Sequence, residues 1–142
     1  MKKLIILLIL IIPLQITHQR KVIDQRNLKL QVLTQSPLTL NNLETYLKLQ
    51  KVKHPNIVIK QAILETGWLT SEVCKRNNNL FGLVFNGKYA KFKHWTDCVK
   101  SYKYFQNKRY TSGCYYTFLV KRKYASDKNY IKKLKMISYG RT

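Results

Sequence analysis

A chain of 142 residues has room for one domain. It carries 27 Lys and Arg against 6 Asp and Glu, a formal charge of +21, so its field concentrates anionic partners: nucleic acid, an acidic membrane surface or an anionic cell-wall polymer. The scarcity of acids excludes mechanisms that need many carboxylates. The only candidates are Asp24, Glu44, Glu65, Glu72, Asp97 and Asp127.

Lys2 and Lys3 precede an apolar run from Leu4 to Ile16 that Pro13 interrupts. A basic start before about 7–15 apolar residues is a secretory signal pattern, and the run is short against the roughly 20 residues of a spanning helix. Residues 1–19 are therefore expected to be a signal peptide or an N-terminal anchor, and the protein to be exported. Residues 20–36 are polar and basic and read as a linker, leaving 37–142 as the folded domain. Ser36-Pro37 suits the cap and first position of a helix, on which Leu40, Leu43, Tyr46 and Leu47 recur at helical spacing.

The second helix is the most apolar of the folded domain. Ile57-Val58-Ile59 through Ala62-Ile63-Leu64 is hydrophobic round most of its circumference, which predicts burial, and Gly67 supplies the stop. Glu65 falls in its last turn, next to Trp68. Glu is rarely buried without a partner or a task. Apolar surroundings and a helix C-terminus both disfavour its charged form, which is what a general acid near neutral pH requires. His54, just before Pro55, reads as structural.

Thr70 to Arg76 predicts a short helix, stopped by Asn77-Asn78-Asn79. Leu80 to Phe92 then carries Asn86-Gly87 between two apolar or aromatic runs, the strongest short hairpin signal. Because a lone hairpin is marginal, it must pack on helices, as a flap beside Glu65. Thr96 is a candidate cap for a helix with Asp97 in its first turn and a stripe of Val99, Tyr102 and Phe105. Tyr115, Phe118 and Leu119 mark another helix, and Asp127 reads as the cap of the last, whose inner face is Tyr130, Leu134 and Ile137. The expected class is α+β and mostly helical: five or six helices and one hairpin. An exported chain permits a disulfide, and Cys98 with Cys114 is the pair considered, against three buried thiols. Three His and three Cys show no metal-ligand spacing, so no metal and no cofactor is expected.

Gln61-Ala62-Ile63-Leu64-Glu65-Thr66-Gly67-Trp68, Asn78-Asn79-Leu80-Phe81-Gly82 and Tyr124-Ala125-Ser126-Asp127-Lys128-Asn129-Tyr130 resemble, in order, three signatures of the bacterial glucosaminidase family, glycoside hydrolase family 73. The resemblance runs from about Pro37 to Ile137. It implies a small lysozyme-like domain with a groove between a helical lobe and the hairpin flap. It further implies endo-cleavage of the β-1,4 bond between N-acetylglucosamine and N-acetylmuramic acid in peptidoglycan. Glu65 matches the family's catalytic acid, and Tyr130 a tyrosine near the reacting sugar that would orient the substrate's acetamido group. Asn79 and Phe81 match the motif shaping the floor of the site. Trp68, Tyr89 and Tyr124 join them as candidate substrate-binding residues. The departure is the hairpin: many family members carry a second acid there, and Leu83 to Phe92 has none. Of Glu72, Asp97 and Asp127, Glu72 is the best substitute. The favoured expectation is a single carboxylate with help from the substrate's own acetamido oxygen. Expected partners are glycan strands and anionic wall polymers, with no specific nucleic acid, a membrane only through an uncleaved N-terminal segment, and a monomeric state. A muramidase, a lytic transglycosylase and a non-catalytic wall-binding module are the alternatives. A basic nucleic-acid binder would explain the charge but not the Glu65 motif.

Overall fold

The computed structural model describes the backbone of residues 2–139 and the side chains of residues 15–139. It divides into two units, Met1–Gln35 and Ser36–Thr142. The first is one helix, α1 (Lys2–Leu33). The helix runs through Pro13, which removes one backbone donor without necessarily ending a helix. One expectation changes here: the segment read as a linker is helical as far as Leu33. Its Lys, Arg, Gln and Leu are good helix formers, so a polar, basic composition did not imply coil. Most of the apolar run expected to be a signal or anchor lies outside the residues whose side chains are described. Among the described residues no helix is long and apolar enough to cross a membrane.

The second unit is built round α3 (Pro55–Thr66), in which Val58, Ile59, Ala62 and Ile63 are all but fully buried. Its circumference is apolar because it has neighbours on several sides: α2 (Leu40–Leu49) and α7 (Tyr130–Met136) both pack on it. Leu43, Tyr46 and Leu47 bury the inner stripe of α2, and Leu134 that of α7. Between these lie α4 (Glu72–Asn77), α5 (Trp95–Arg109) and α6 (Tyr115–Lys121). Trp95 closes the core edge-on to Tyr46, ring centroids 5.3 Å apart. The sole sheet among the described residues is the antiparallel hairpin β1 (Val84–Phe85) and β2 (Lys88–Tyr89), with Val84 opposite Tyr89 and Phe85 opposite Lys88. Asn86 and Gly87 turn it with φ of 50° and 75°, the two positive angles a type I′ turn demands. The domain is thus a mostly helical α+β, lysozyme-like fold, as expected.

Three caps differ from the sequence reading. Thr39, not Ser36, caps α2, its hydroxyl accepting from the Asn42 amide. The Ser36 carbonyl instead accepts from Trp95 Nε1 at 2.9 Å and His94 Nε2 at 3.1 Å, so Ser36-Pro37 is a latch onto α5 and not a helix start. His94, not Thr96, caps α5, its ring nitrogen facing the Thr96 amide and hydroxyl. Asn129 precedes α7, while Asp127 holds the entry turn, Oδ1 accepting from the Asn129 amide and Oδ2 pairing with Lys133.

The cysteines are all free: Cys74 and Cys98 are buried and Cys114 is exposed. The Cys98–Cys114 pairing is not formed. Cys98 is packed in the core, and burial pushes its thiol up to about 12.

Candidate active site

Glu65 ends α3 as the amphipathic logic of that helix dictates: the preceding turns are core, and its own side chain is half-buried at the rim. The chain then turns sharply. Gly67, Trp68 and Leu69 take successive left-handed φ values of 54°, 63° and 68°, a conformation that costs roughly 1–2 kcal/mol at each non-glycine residue. Thr66 holds it in place. Its hydroxyl donates to the Ala62 carbonyl at 2.6 Å and accepts from the Leu69 amide at 2.8 Å, and its carbonyl accepts from Thr70 and Ser71. One consequence is that Trp68 is displayed outward, 55% exposed, three residues after Glu65. Tyr89, on β2, is 59% exposed. These two rings are the open aromatic faces among the sequence-predicted site residues.

The Glu65 carboxyl meets two neighbours. Tyr130, the first residue of α7, donates its hydroxyl to Oε1 at 2.8 Å. On the other side the chain entering the hairpin comes so close that a Cβ on Gly82 would lie 3.1 Å from Oε2. Gly82 itself sits at φ +62°, an angle that favours glycine, and a side chain there would press on the carboxyl. Burial holds the Glu65 carboxyl above the ordinary carboxylate range, against a smaller downward pull from the Tyr130 hydroxyl. Replacing Gly82 with Ala should displace the carboxyl a few tenths of an ångström and cost about 1 kcal/mol of stability through the left-handed angle. A melting curve would check the loss, and an unchanged midpoint would mean that this position tolerates a Cβ.

The other carboxylates of this unit are each paired with a cation: Glu44 with Lys48, Glu72 with Arg76, Asp97 with Lys100 and Asp127 with Lys133. Glu72, the expected substitute for a second acid, is 69% exposed and sits one helical turn from its arginine. Among the described residues Glu65 is the only acid of the unit in no ion pair.

Two candidate substrate-binding side chains are buried and fully engaged. Asn79, 2% exposed, pins both legs of the hairpin. Its Nδ2 donates to the carbonyls of Leu83 and Ala90, and its Oδ1 accepts from the Leu83 amide. Phe81 packs on Tyr102 with ring centroids 4.2 Å apart, while its carbonyl accepts from the Tyr124 hydroxyl at 2.9 Å. Both therefore place the Gly82 segment and the hairpin. Tyr124 stacks beside Tyr130 at 5.8 Å and ties the α6–α7 connection to the floor. Tyr130 directs its proton at Glu65 Oε1, a contact the sequence reading had not given it. His54 is structural, bonded to the Tyr110 hydroxyl at 2.6 Å and stacked on Tyr115.

Sequence reasoning missed Gly82, whose approach to Glu65 had no local signal, and Gln61. Gln61 is fully buried one turn before Glu65, with Nε2 on the Tyr130 hydroxyl at 3.4 Å and Oε1 on the Tyr102 hydroxyl at 2.6 Å. A buried amide flanking a candidate acid was the available clue.

Searches of curated proteins and of solved structures returned no match. The sequence model of one family, Glucosaminidase, described as mannosyl-glycoprotein endo-beta-N-acetylglucosaminidase, matches residues 41–140. That span is most of the chain and contains Glu65, Gly82, the hairpin and Tyr130, so the chain belongs to the Glucosaminidase family, a family of glycoside hydrolases.

Proposed function

We propose that the protein is a peptidoglycan hydrolase that cleaves the β-1,4 bond between N-acetylglucosamine and N-acetylmuramic acid, with Glu65 as its general acid. The observation that carries this reading is the standing of Glu65: among the described residues the one acid of the domain outside any ion pair, half-buried, raised in pKa by desolvation and bonded to Tyr130.

In this reading Oε1 is occupied by Tyr130, and Oε2, beside Gly82, carries the proton. That proton passes to the glycosidic oxygen as the bond to the anomeric carbon breaks. The oxygen of the same sugar's 2-acetamido group attacks the anomeric carbon from the opposite face and forms a bicyclic oxazolinium ion. Water, losing its proton to the Glu65 carboxylate, then opens this ion and restores both groups. Such substrate assistance is a recognised exception to the two-carboxylate rule, and it suits a domain whose other described acids are held by lysine and arginine. Trp68 and Tyr89 are the exposed rings against which sugar faces would stack. The basic surface would hold the enzyme on a wall rich in peptide carboxylates and anionic polymers, an attraction that salt weakens. The basic and apolar N-terminal segment would deliver the domain to that wall, as a cleaved signal or a retained anchor.

Purified peptidoglycan digested with the protein and analysed by mass spectrometry tests the bond. Fragments ending in reducing N-acetylglucosamine support the assignment. Reducing or anhydro muramic acid would make the protein a muramidase or a lytic transglycosylase, and no release at all would leave only wall binding.

A further inference from the structure

Behind Tyr130 runs a line of buried polar side chains that the proposed chemistry does not itself use. Gln61, Tyr102 and Gln106 are wholly buried and Tyr115 is 1% exposed, and no buried side-chain nitrogen or oxygen among the described residues lacks a partner. They come from α3, α5 and α6 and meet in sequence. Gln106 bonds to the backbone of Lys53, Oε1 accepting its amide at 3.0 Å and Nε2 donating to its carbonyl at 2.9 Å. The same Nε2 donates to the Tyr115 hydroxyl at 2.7 Å. Tyr115 and Tyr102 share a hydrogen bond of 2.7 Å. Tyr102 bonds to Gln61 Oε1 at 2.6 Å, Gln61 Nε2 to Tyr130 at 3.4 Å, and Tyr130 to Glu65 at 2.8 Å.

The direction of such a chain can be worked out from its fixed end. A backbone amide only donates and a backbone carbonyl only accepts, so Lys53 allows Gln106 a single amide orientation; the flipped one would set donor against donor and acceptor against acceptor. Tyr115 therefore accepts from Gln106 and has its own proton for Tyr102. Tyr102 passes its proton to Gln61, which must present Oε1 there and Nε2 to Tyr130. Tyr130, having accepted, gives its proton to Glu65. We infer that Gln106, Tyr115, Tyr102 and Gln61 are positioning residues that form a one-way hydrogen-bond chain, anchored on the Lys53 backbone, which commits the Tyr130 hydroxyl to Glu65 Oε1 and so leaves Oε2 as the oxygen that carries the acid proton.

The inference rests on the proposed role of Glu65 for its catalytic meaning but not for its test. The ionisable groups facing Glu65 are Tyr130 from α7 and Tyr124 from the α6–α7 connection; the hairpin side offers Gly82, which carries none. No lysine or arginine among the described residues lies within ion-pair distance of it. A change in the direction of the Tyr130 proton should therefore register directly in the titration of Glu65.

Reversing the chain from its far end is the experiment. Gln106→Glu puts an acceptor where Nε2 stood, so Tyr115 donates backwards, Tyr102 follows, the Gln61 amide turns, and its Oε1 competes for the Tyr130 proton. Tyr102→Phe cuts the chain in the middle and frees the Gln61 amide to turn, which keeps the test available should Gln106→Glu fail to fold. The probe is the 13C shift of the Glu65 carboxyl, followed against pH in the full chain without substrate, with Tyr130→Phe as reference. The expected result is that Gln106→Glu and Tyr102→Phe both move the Glu65 titration to higher pH, as Tyr130→Phe does, and that Tyr102→Phe adds nothing further in a Tyr130→Phe background. A Glu65 that titrates as in the parent protein in folded Tyr102→Phe would overturn the inference, as would a Tyr130→Phe protein whose Glu65 does not move. A Glu65→Gln protein that still cleaved glycan would instead overturn the acid assignment while leaving this titration result in place.

Discussion

Glu65→Gln should abolish glycan cleavage and stabilise the fold at the same time. A positioned general acid contributes about 10²–10⁴-fold, and the amide keeps the shape and the Tyr130 contact while removing the transferable proton. The stability effect follows from the raised pKa of this half-buried carboxyl. A group bound more tightly to its proton in the folded state contributes stability below its unfolded pKa and loses it as pH rises through the folded value. Above its folded value the ionised Glu65 is therefore a burden that the amide variant lacks, and there the midpoint of thermal unfolding should rise by on the order of 2 °C. Well below the unfolded value, where both states are protonated, the difference should disappear. Rates of reducing-end release and melting curves at neutral and acid pH, on the same two proteins, read both parts.

Tyr130→Phe separates holding the acid from being the acid. The hydroxyl donates to Oε1 and favours the ionised carboxyl, so it lowers the Glu65 pKa against the larger effect of burial. Without it that pKa rises. A general acid works while protonated, so activity ends on an alkaline limb, and in Tyr130→Phe that limb should move to higher pH. The plateau kcat should fall about tenfold because the carboxyl loses its orienting bond. A lower plateau with the limb unmoved would mean that Tyr130 acts on the substrate instead, as the family resemblance alone had suggested.

The parts of this molecule that were legible in its sequence are those whose cause is local. The continuous apolar surface of α3, its Gly67 stop and the Asn86-Gly87 turn are each decided within a few residues, and each stands where the pattern put it. Glu65 was legible for the same reason, as a carboxylate at the end of a core helix. The caps were harder, because several hydroxyl and carboxamide groups lie near each helix start and tertiary contacts choose among them. Trp95 claims the Ser36 carbonyl, and so Thr39 starts α2. The contacts round Glu65 had no local signal, and the family resemblance alone put Tyr130 and the Asn79–Gly82 segment near it. Gly82 reaches it from a separate segment, Tyr130 from 65 positions further along the chain, and Tyr102 meets Gln61 across 41. No periodicity encodes such pairings; only packing α5, α6 and α7 round α3 produces them. Asn79 shows the same limit from the other side: the motif marked it, but only the three bonds to Leu83 and Ala90 reveal that it holds the hairpin and does not face solvent.

Whether one carboxylate suffices is decided by a single series of rates. Glu65→Gln, Glu44→Gln, Glu72→Gln, Asp97→Asn and Asp127→Asn are assayed side by side on one peptidoglycan preparation, with folding checked by circular dichroism. Only Glu65→Gln should lose activity by orders of magnitude, while the four ion-paired positions retain most of theirs. Loss as deep as that of Glu65→Gln at Glu72 or at any of the other three, in a folded protein, would contradict it.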